Sequence, residues 1–378
     1  MSRVNLEMVT VGNPGNSSDP RTGFGGVGYA YKISQYEVTI QQYTDFLNAV
    51  AATDPYGLYN PSMATDQTIA GIARSGSPGS YRYSVISPAT VQVEAASSPG
   101  NRPVAYIDWF DAARFANWMH NGQGSAGTET GAYNLVGAKP GARVPANARA
   151  RFRIPSQDEW YKAAYYSPVL NKGKGGYYVF PTRSNSTPGA IPGNVASNSA
   201  AANQANYYNG TFSVTQRALK SSGNDQNYLT NVGAFISSAS HYGTFDQGGN
   251  VYEWVDTSGN RNLGRLRGGF WMSNMADMSY VDYYTTSPSY SFDGSGFRLA
   301  SPVRTNGRSA RRNPGFSGDS TDERMDTAFA RGSKLGSDHS STVILAGMAM
   351  VAVAQPGNKK DARTGHGSVG YSFNIGNV

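Results

Sequence analysis

DQGGNVYEW, Asp246 to Trp254, is followed by LRGGFW (Leu266 to Trp271) and GFRLA (Gly296 to Ala300). Together with VGAF from Val232, these short apolar segments alternate with turns and read as a small antiparallel sheet. Gly268-Gly269 permits close backbone approach or positive φ. Arg298, behind Gly296 and Phe297, suits a fold anchor better than a substrate contact, because its fork of donors can tie several acceptors at once.

Three short helices precede this sheet. Thr39 and Gln42 form a capping box, with Phe46, Leu47 and Val50 as the apolar face behind it. Asp108 can cap a second helix, Trp109 to His120, that closes at Asn121-Gly122. Ser156 and Glu159 form another capping box and open a third, Gln157 to Tyr166. Residues 54–100 and 168–226 are rich in Gly, Ser, Asn and Pro, and loops of that length carry function or cover a core.

Composition agrees with a loop-rich globular chain. Of 378 residues, 45 are Gly, 25 Tyr and 19 Pro, while only 15% are charged. That length exceeds the usual size of one core, which favours one large domain with an extension. Cysteine is absent, so disulfides, thiolate metal sites and cysteine nucleophiles are excluded. The net charge is +7, and residues 302–378 hold ten Lys/Arg against six Asp/Glu. Arg304, Arg308, Arg311 and Arg312 lack aromatic or helical patterning, so they read as a solvated linker and nucleic acid is not the expected partner.

Nothing at Met1 resembles a signal peptide, since Ser2, Arg3, Asn5 and Glu7 interrupt any apolar run. The apolar run VILAGMAMVAVA, Val343 to Ala354, is 12 residues long, short of the roughly 20 that a membrane helix needs, and reads as one or two buried strands. Sequons at Asn16, Asn185 and Asn209 would allow glycosylation of an exported chain.

KISQYEVTIQQYTDFLNAV (Lys32 to Val50), NRPVAYIDWFDAARFANWM (Asn101 to Met119), RIPSQDEWYKAAYY (Arg153 to Tyr166) and the three segments quoted first occur in one order. In that order the chain resembles the formylglycine-generating enzyme/sulfatase-modifying factor family over about residues 8–301. The resemblance implies an α+β, C-type-lectin-like fold with little regular secondary structure, here with a C-terminal β extension. All five tryptophans, Trp109, Trp118, Trp160, Trp254 and Trp271, lie in these motifs, as expected if they organise a loop-rich core.

Activity does not follow from the resemblance. The family's oxidases hold copper with two cysteines beyond the GG-aromatic motif, and Ser273 and Met278 stand at those places, where neither supplies a thiolate. Iron-dependent relatives need a histidine cluster, whereas His120, His241, His339 and His366 are far apart in sequence. No nucleophile elbow, phosphate loop or paired-carboxylate motif stands out. The expectation is a catalytically inactive member without copper or iron, and an enzyme of unrecognised chemistry is the third reading.

The family's GNxxEW motif sits at a calcium site, which the resemblance places on Asn250 and Glu253. Oxygen ligands suit that cation. The alternative is that Asn250 caps a turn and Glu253 pairs with an arginine.

The stretch MSNMADMSYVDYYTTSPSYSFDGS, from Met272 to Ser295, occupies the family's catalytic surface and is dense in Tyr, Ser, Asp and Asn. That mixture gives rigid amphipathic contact area with adaptable hydrogen bonding. Candidate ligand contacts are Trp271, Asn274, Asp277, Tyr280, Asp282, Tyr283, Tyr284, Tyr290, Phe292 and Asp293, facing a carbohydrate or a basic protein patch. The composition also resembles the variable region of diversity-generating retroelement proteins, which Met272, Met275 and Met278 fit poorly.

Finally, the chain repeats itself. Met8 to Ser34 returns without gaps as Met350 to Gly376, with 15 of 27 positions identical. The division expected is a domain over residues 1–301, an Arg/Gly/Ser-rich linker over 302–342 with a short helix near Asp322 to Ala330, and a strand segment over 343–378. A strand pair without a core is not stable alone and must dock, on its own domain or a neighbour. The primary reading is therefore a non-catalytic binding and self-assembly module, a surface or fibre subunit polymerising as a homo-oligomer through residues 343–378. By family analogy it would be extracellular or on a cell or virion surface. The runner-up is a monomeric, lectin-like recognition protein using the Tyr-rich loop.

Overall fold

The computed structural model describes residues 3–86, 98–137, 141–190, 201–220 and 226–303, with the backbone of three strands between 342 and 376. Its main elements, in chain order, are β1 (Met8–Val11), β2 (Tyr31–Ser34), α1 (Ile40–Val50), α2 (Trp109–His120), α3 (Gln157–Tyr165), β3 (Tyr252–Val255), β4 (Gly264–Arg267), β5 (Tyr284–Thr286), β6 (Ser295–Gly296) and β7 (Ala300–Pro302). Beyond them lie β8 (Thr342–Leu345), β9 (Met348–Val353) and β10 (Phe373–Gly376). Backbone contacts divide the chain into units Met1–Ser317 and Gly318–Val378, a division that falls inside the segment read as a linker. The short helix expected near Asp322 lies outside the described residues.

All three helices begin where capping chemistry places them. Thr39, Asp108 and Ser156 each accept a hydrogen bond from the backbone N–H three residues on, and the side chains of Gln42, Asp111 and Glu159 accept one from the backbone N–H of the cap. The second box, closed by Asp111, goes beyond the single cap expected from the sequence.

The sheets differ from expectation in two respects. The central sheet has the order β6-β3-β4-β5, and β6 runs parallel to β3, so it is mixed rather than antiparallel. The residues after Gly296 leave it and reach the first sheet, β1-β2-β7, where Ala300 pairs with Ile33. VGAF forms turns, not a strand. The family domain is thus closed by a strand that returns beside its own beginning. The apolar run near 343 is two strands, β8 and β9, in a separate sheet β8-β9-β10.

All five tryptophans are buried. Each ring N–H finds an acceptor: Asp256 for Trp109, Gly124 for Trp118, Glu253 for Trp160, Ile107 for Trp254 and Asp293 for Trp271. Burying such a ring contributes apolar area, and the satisfied N–H fixes how the loops cross it. Gly268 shows why LRGG needs its first glycine: φ is +102°, and a Cβ there would lie 2.7 Å from the carbonyl oxygen of Gln247.

At the centre of the domain lies Arg298, fully buried. Its five N–H groups are all used: Nε and Nη2 meet the Glu253 carboxylate, Nη1 donates to the carbonyls of Ser34 and Gln35, and Nη2 also donates to that of Phe245. Removing one partner of such a pair leaves an uncompensated buried charge. We therefore expect Glu253→Gln to lower unfolding stability by roughly 3 kcal/mol in urea melts, with the double variant Glu253→Gln/Arg298→Met recovering part of that loss.

Candidate functional site

The loop from Trp271 to Ser295 leaves the end of β4, forms a turn of 3-10 helix at Met275–Met278, returns as edge strand β5 and ends at β6. Asn274 caps the 3-10 turn, its Oδ1 accepting from the Ala276 N–H at 2.7 Å. Because the loop begins and ends on the central sheet, its exposed side chains are held on a rigid base.

The structure divides the candidate residues between two exposed faces and a buried support. On one face, Tyr284, Tyr290 and Phe292 cluster with Tyr252 and Phe270. Tyr290 stacks on Phe292 at 5.5 Å, Phe270 meets Phe292 edge-on at 5.6 Å, and Tyr252 stacks on Phe270 at 5.6 Å. Tyr284 and Tyr290 remain 41% and 45% exposed, so the ladder ends in rings open to a ligand.

The second face carries Tyr280 and Tyr283 with cations. The Arg21 guanidinium lies 3.7 Å from the Tyr280 ring centre, and that of Arg265 lies 4.0 Å from the Tyr283 ring centre. Behind them Arg267 is buried, surrounded by the rings of Phe24, Tyr161 and Tyr283, and donates from Nη1 to the carbonyl of Asp282 at 3.0 Å. Burial, and then the charge of Asp277, push the Asp282 carboxyl up to about 6.

Trp271 is a correction to the sequence reading. It is 1% exposed and stacks on Tyr228 at 5.1 Å beside Phe212. The ring supports the loop from beneath, because a large apolar ring gains more from this pocket than from water. Above it Lys220 lies 4.7 Å from the ring centre. Asp293 is raised by burial and by neighbouring Asp66, whose own carboxyl is held below its usual value, against burial, by hydrogen bonds from Thr68 and Tyr106.

Sequence reasoning missed Arg21, Arg265 and Arg267 because they precede the loop and face it only after folding. Tyr252 and Phe270 were hidden inside motifs read as scaffold.

Ser273 and Met278 do come together. A Cβ on Gly269 would lie 3.3 Å from the Ser273 Cβ and 3.1 Å from the Met278 Cγ. Both side chains are buried, and Ser273 Oγ accepts from the Phe270 N–H at 3.0 Å. Ser273 and Met278 thus form a packed support for the loop, with no thiolate. His120 and His241 are each bound locally, to the Arg151 N–H and to Ser167, while His339 and His366 lie outside the described residues.

Glu253 pairs with an arginine as in the alternative reading, whereas Asn250 ties distant segments together rather than capping a turn. Asn250, at φ +61°, accepts at Oδ1 from Asn206 Nδ2 and from the N–H and hydroxyl of Thr230. Glu253 is held by Arg298 and Trp160. A calcium ion at these oxygens would have to displace protein donors, one of them a guanidinium, so the pair does not fit that cation. Among the described residues no group of three or more His, Cys, Asp or Glu side chains is arranged to hold a metal.

Near Arg298, however, acids outnumber cations. Both oxygens of buried Glu37 lack a donor, and burial, followed by the charge of Asp246, raises its carboxyl well above the usual range. Burial pushes Asp246 up to about 6. A raised carboxyl costs nothing when protonated in both states and destabilises the fold as pH climbs through that value. Asp246→Asn should therefore match the parent below about pH 4 and exceed its stability by roughly 2 kcal/mol above pH 7 in paired urea melts. A chelator should leave the melting temperature of the parent unchanged.

Comparison with known proteins follows this geometry. Residues 21–303 match the family described as the sulfatase-modifying factor enzyme 1-like domain. Among solved structures the chain is similar to that of CarF (18% identity, TM-score 0.41, 79% of this chain and 99% of that one) and to variable protein 1 of Treponema denticola (16%, 0.41, 78% and 95%). It is also similar to PvdO from Pseudomonas aeruginosa (17%, 0.38, 78% and 94%). No curated protein matches the sequence. The family match spans most of the chain and contains both the Trp160–Glu253–Arg298 centre and the loop built on it, and this protein belongs to the sulfatase-modifying factor enzyme 1-like family.

Proposed function

We propose that the protein is a non-catalytic recognition and assembly module, displaying the 271–295 loop to a carbohydrate or protein ligand and self-associating through residues 343–378. The observation that carries the first half is the pairing of two features on one loop. Its base is filled by Ser273 and Met278 where metal-binding thiolates would stand, and its rim presents Tyr283, Tyr284 and Tyr290 at 40%, 41% and 45% exposure. Exposed rings beside carboxylates stack on the apolar faces of sugars or cover a protein patch, while Asp277 and Asp282 accept from hydroxyls or cations. Tyr284, Tyr290 and Phe292 form the stacking surface, Tyr280 and Tyr283 the cation-lined second face, and Asn274 and Asp293 belong to the same loop.

The assembly half rests on the repeated segment, whose described residues lie in the three-stranded sheet β8-β9-β10. No helix among the described residues is long and apolar enough to cross a membrane. A surface or fibre subunit outside the cell, or on a virion, is the setting in which such a module would act.

On a glycan array and against cell-surface extracts, Tyr284→Ala/Tyr290→Ala should reduce binding at least about tenfold, since exposed anchor rings carry about 1 kcal/mol or more each. Unchanged binding by that variant would move the ligand elsewhere. Copper or iron accompanying the purified protein, with turnover dependent on it, would favour an enzyme instead.

A further inference from the structure

The described strands of the two copies pair alike. Met8 pairs with Ser34, Val9 with Ile33, Thr10 with Lys32 and Val11 with Tyr31; 342 residues later Met350 pairs with Gly376, Val351 with Ile375, Ala352 with Asn374 and Val353 with Phe373. The register is the same in both hairpins, so the second copy can present its strands as the first does.

The first copy is not an independent hairpin. It is clamped to α3 and its surroundings by a small set of side chains. Tyr161 Oη donates to Asp19 Oδ2 at 2.7 Å, Thr22 Oγ1 donates to Tyr161 Oη at 3.1 Å, and the Gly25 N–H donates to Asp158 at 2.8 Å. Asn16 donates to Tyr177 Oη at 2.7 Å, Tyr29 donates to Glu159 at 3.1 Å, and Arg21 covers Tyr280. Val11, Val27 and Ile33 pack with Ala163 of α3.

The second copy retains every one of these residue types. Asn358, Asp361, Arg363, Thr364, Gly367 and Tyr371 stand at the six polar and glycine positions, and Val353, Val369 and Ile375 at the apolar ones. Of the twelve differences, six fall on exposed Thr10, Asn13, Ser17, Ser18, Pro20 and Lys32, four on half-buried Gly12, Phe24, Gly26 and Ala30, and two on buried Tyr31 and Ser34. A hairpin that had stopped docking would have no reason to keep the side chains that make these clamping contacts.

We infer that residues 350–376 are a second key for the slot beside α3, and that the slot they enter is that of another copy of this chain, releasing its residues 8–34. This rests on the assembly reading and names the docking place. Within one chain the slot is already filled, so each chain carries two keys and one slot. The resident key is the stronger. Tyr31 donates to the carbonyl of Glu159, and Ser34 Oγ both donates to the Leu299 carbonyl and accepts from its N–H, whereas Phe373 and Gly376 stand at those positions in the second copy. Exchange is therefore held in check by a few hydrogen bonds and a buried hydroxyl.

The absence of cysteine makes this directly testable. Lys32 lies opposite Ser301 across β2 and β7, so a docked second key would place Asn374 opposite Ser301. Full-length chains carrying Asn374→Cys are mixed with full-length chains carrying Ser301→Cys and treated with a short thiol cross-linker, with the single chain Lys32→Cys/Ser301→Cys as the positive control. A covalent heterodimer is expected, increased roughly tenfold when the Ser301→Cys chain also carries Tyr31→Phe and Ser34→Gly. Arg363→Glu on the donor chain should abolish it. No heterodimer in either background, with the control cross-linked, overturns the inference; so does cross-linking confined within the double variant Asn374→Cys/Ser301→Cys. Light scattering separates the two levels: association that is lost on ending the chain at Thr342, without any heterodimer, overturns this slot and leaves assembly through another surface.

Discussion

A buried ion pair holds this domain together. Glu253 comes from NVYEW on the central sheet and Arg298 from GFRLA on the returning segment, and neither side chain reaches water. A pair so placed is costly to desolvate, and it stabilises the fold only because every remaining donor finds an acceptor. Those acceptors are the carbonyls of Ser34, Gln35 and Phe245, and Trp160 of α3 donates to the same carboxylate. One charge pair thus ties the first sheet, the third helix, the central sheet and the closing strand. In a chain with so much irregular backbone, it does work that long helices or wide sheets do elsewhere.

The candidate recognition surface depends on that centre. The loop from Trp271 to Ser295 springs from the sheet that contains Glu253 and is supported beneath by Trp271, Ser273 and Met278. Its exposed rings stay in place because their neighbours are fixed in stacks and edge contacts, not because the loop has regular structure. The same centre also exacts a cost. Glu37 and Asp246 lie near an arginine already neutralised by Glu253, and they remain there with raised proton affinity.

Much of the architecture was legible in the chain. Helix starts were readable because capping is local: Thr39 and Gln42, or Ser156 and Glu159, act across three residues. Arg298 was readable as an anchor because a lone arginine in an apolar motif has few other uses. Strand partners were less legible. The parallel pairing of Ser295-Gly296 with β3 involves residues more than forty positions apart, and nothing in so short a segment encodes its direction. Asn250 and Glu253 remained ambiguous between cation and protein partners because the decisive groups, Thr230, Asn206 and Arg298, come from other segments.

By itself the sequence determined the family, the capped helices, the absence of thiolates at positions 273 and 278, and the repeat of residues 8–34 at its far end. These are properties of residue identity and short spacing. The tertiary structure alone decided that Trp271 supports the loop from below, that Arg21, Arg265 and Arg267 converge on its tyrosines, and that the repeated residues are the ones gripping α3. The physical reason is range. Capping and turn formation are settled within a few residues, whereas burial and charge pairing depend on groups brought together from across the chain.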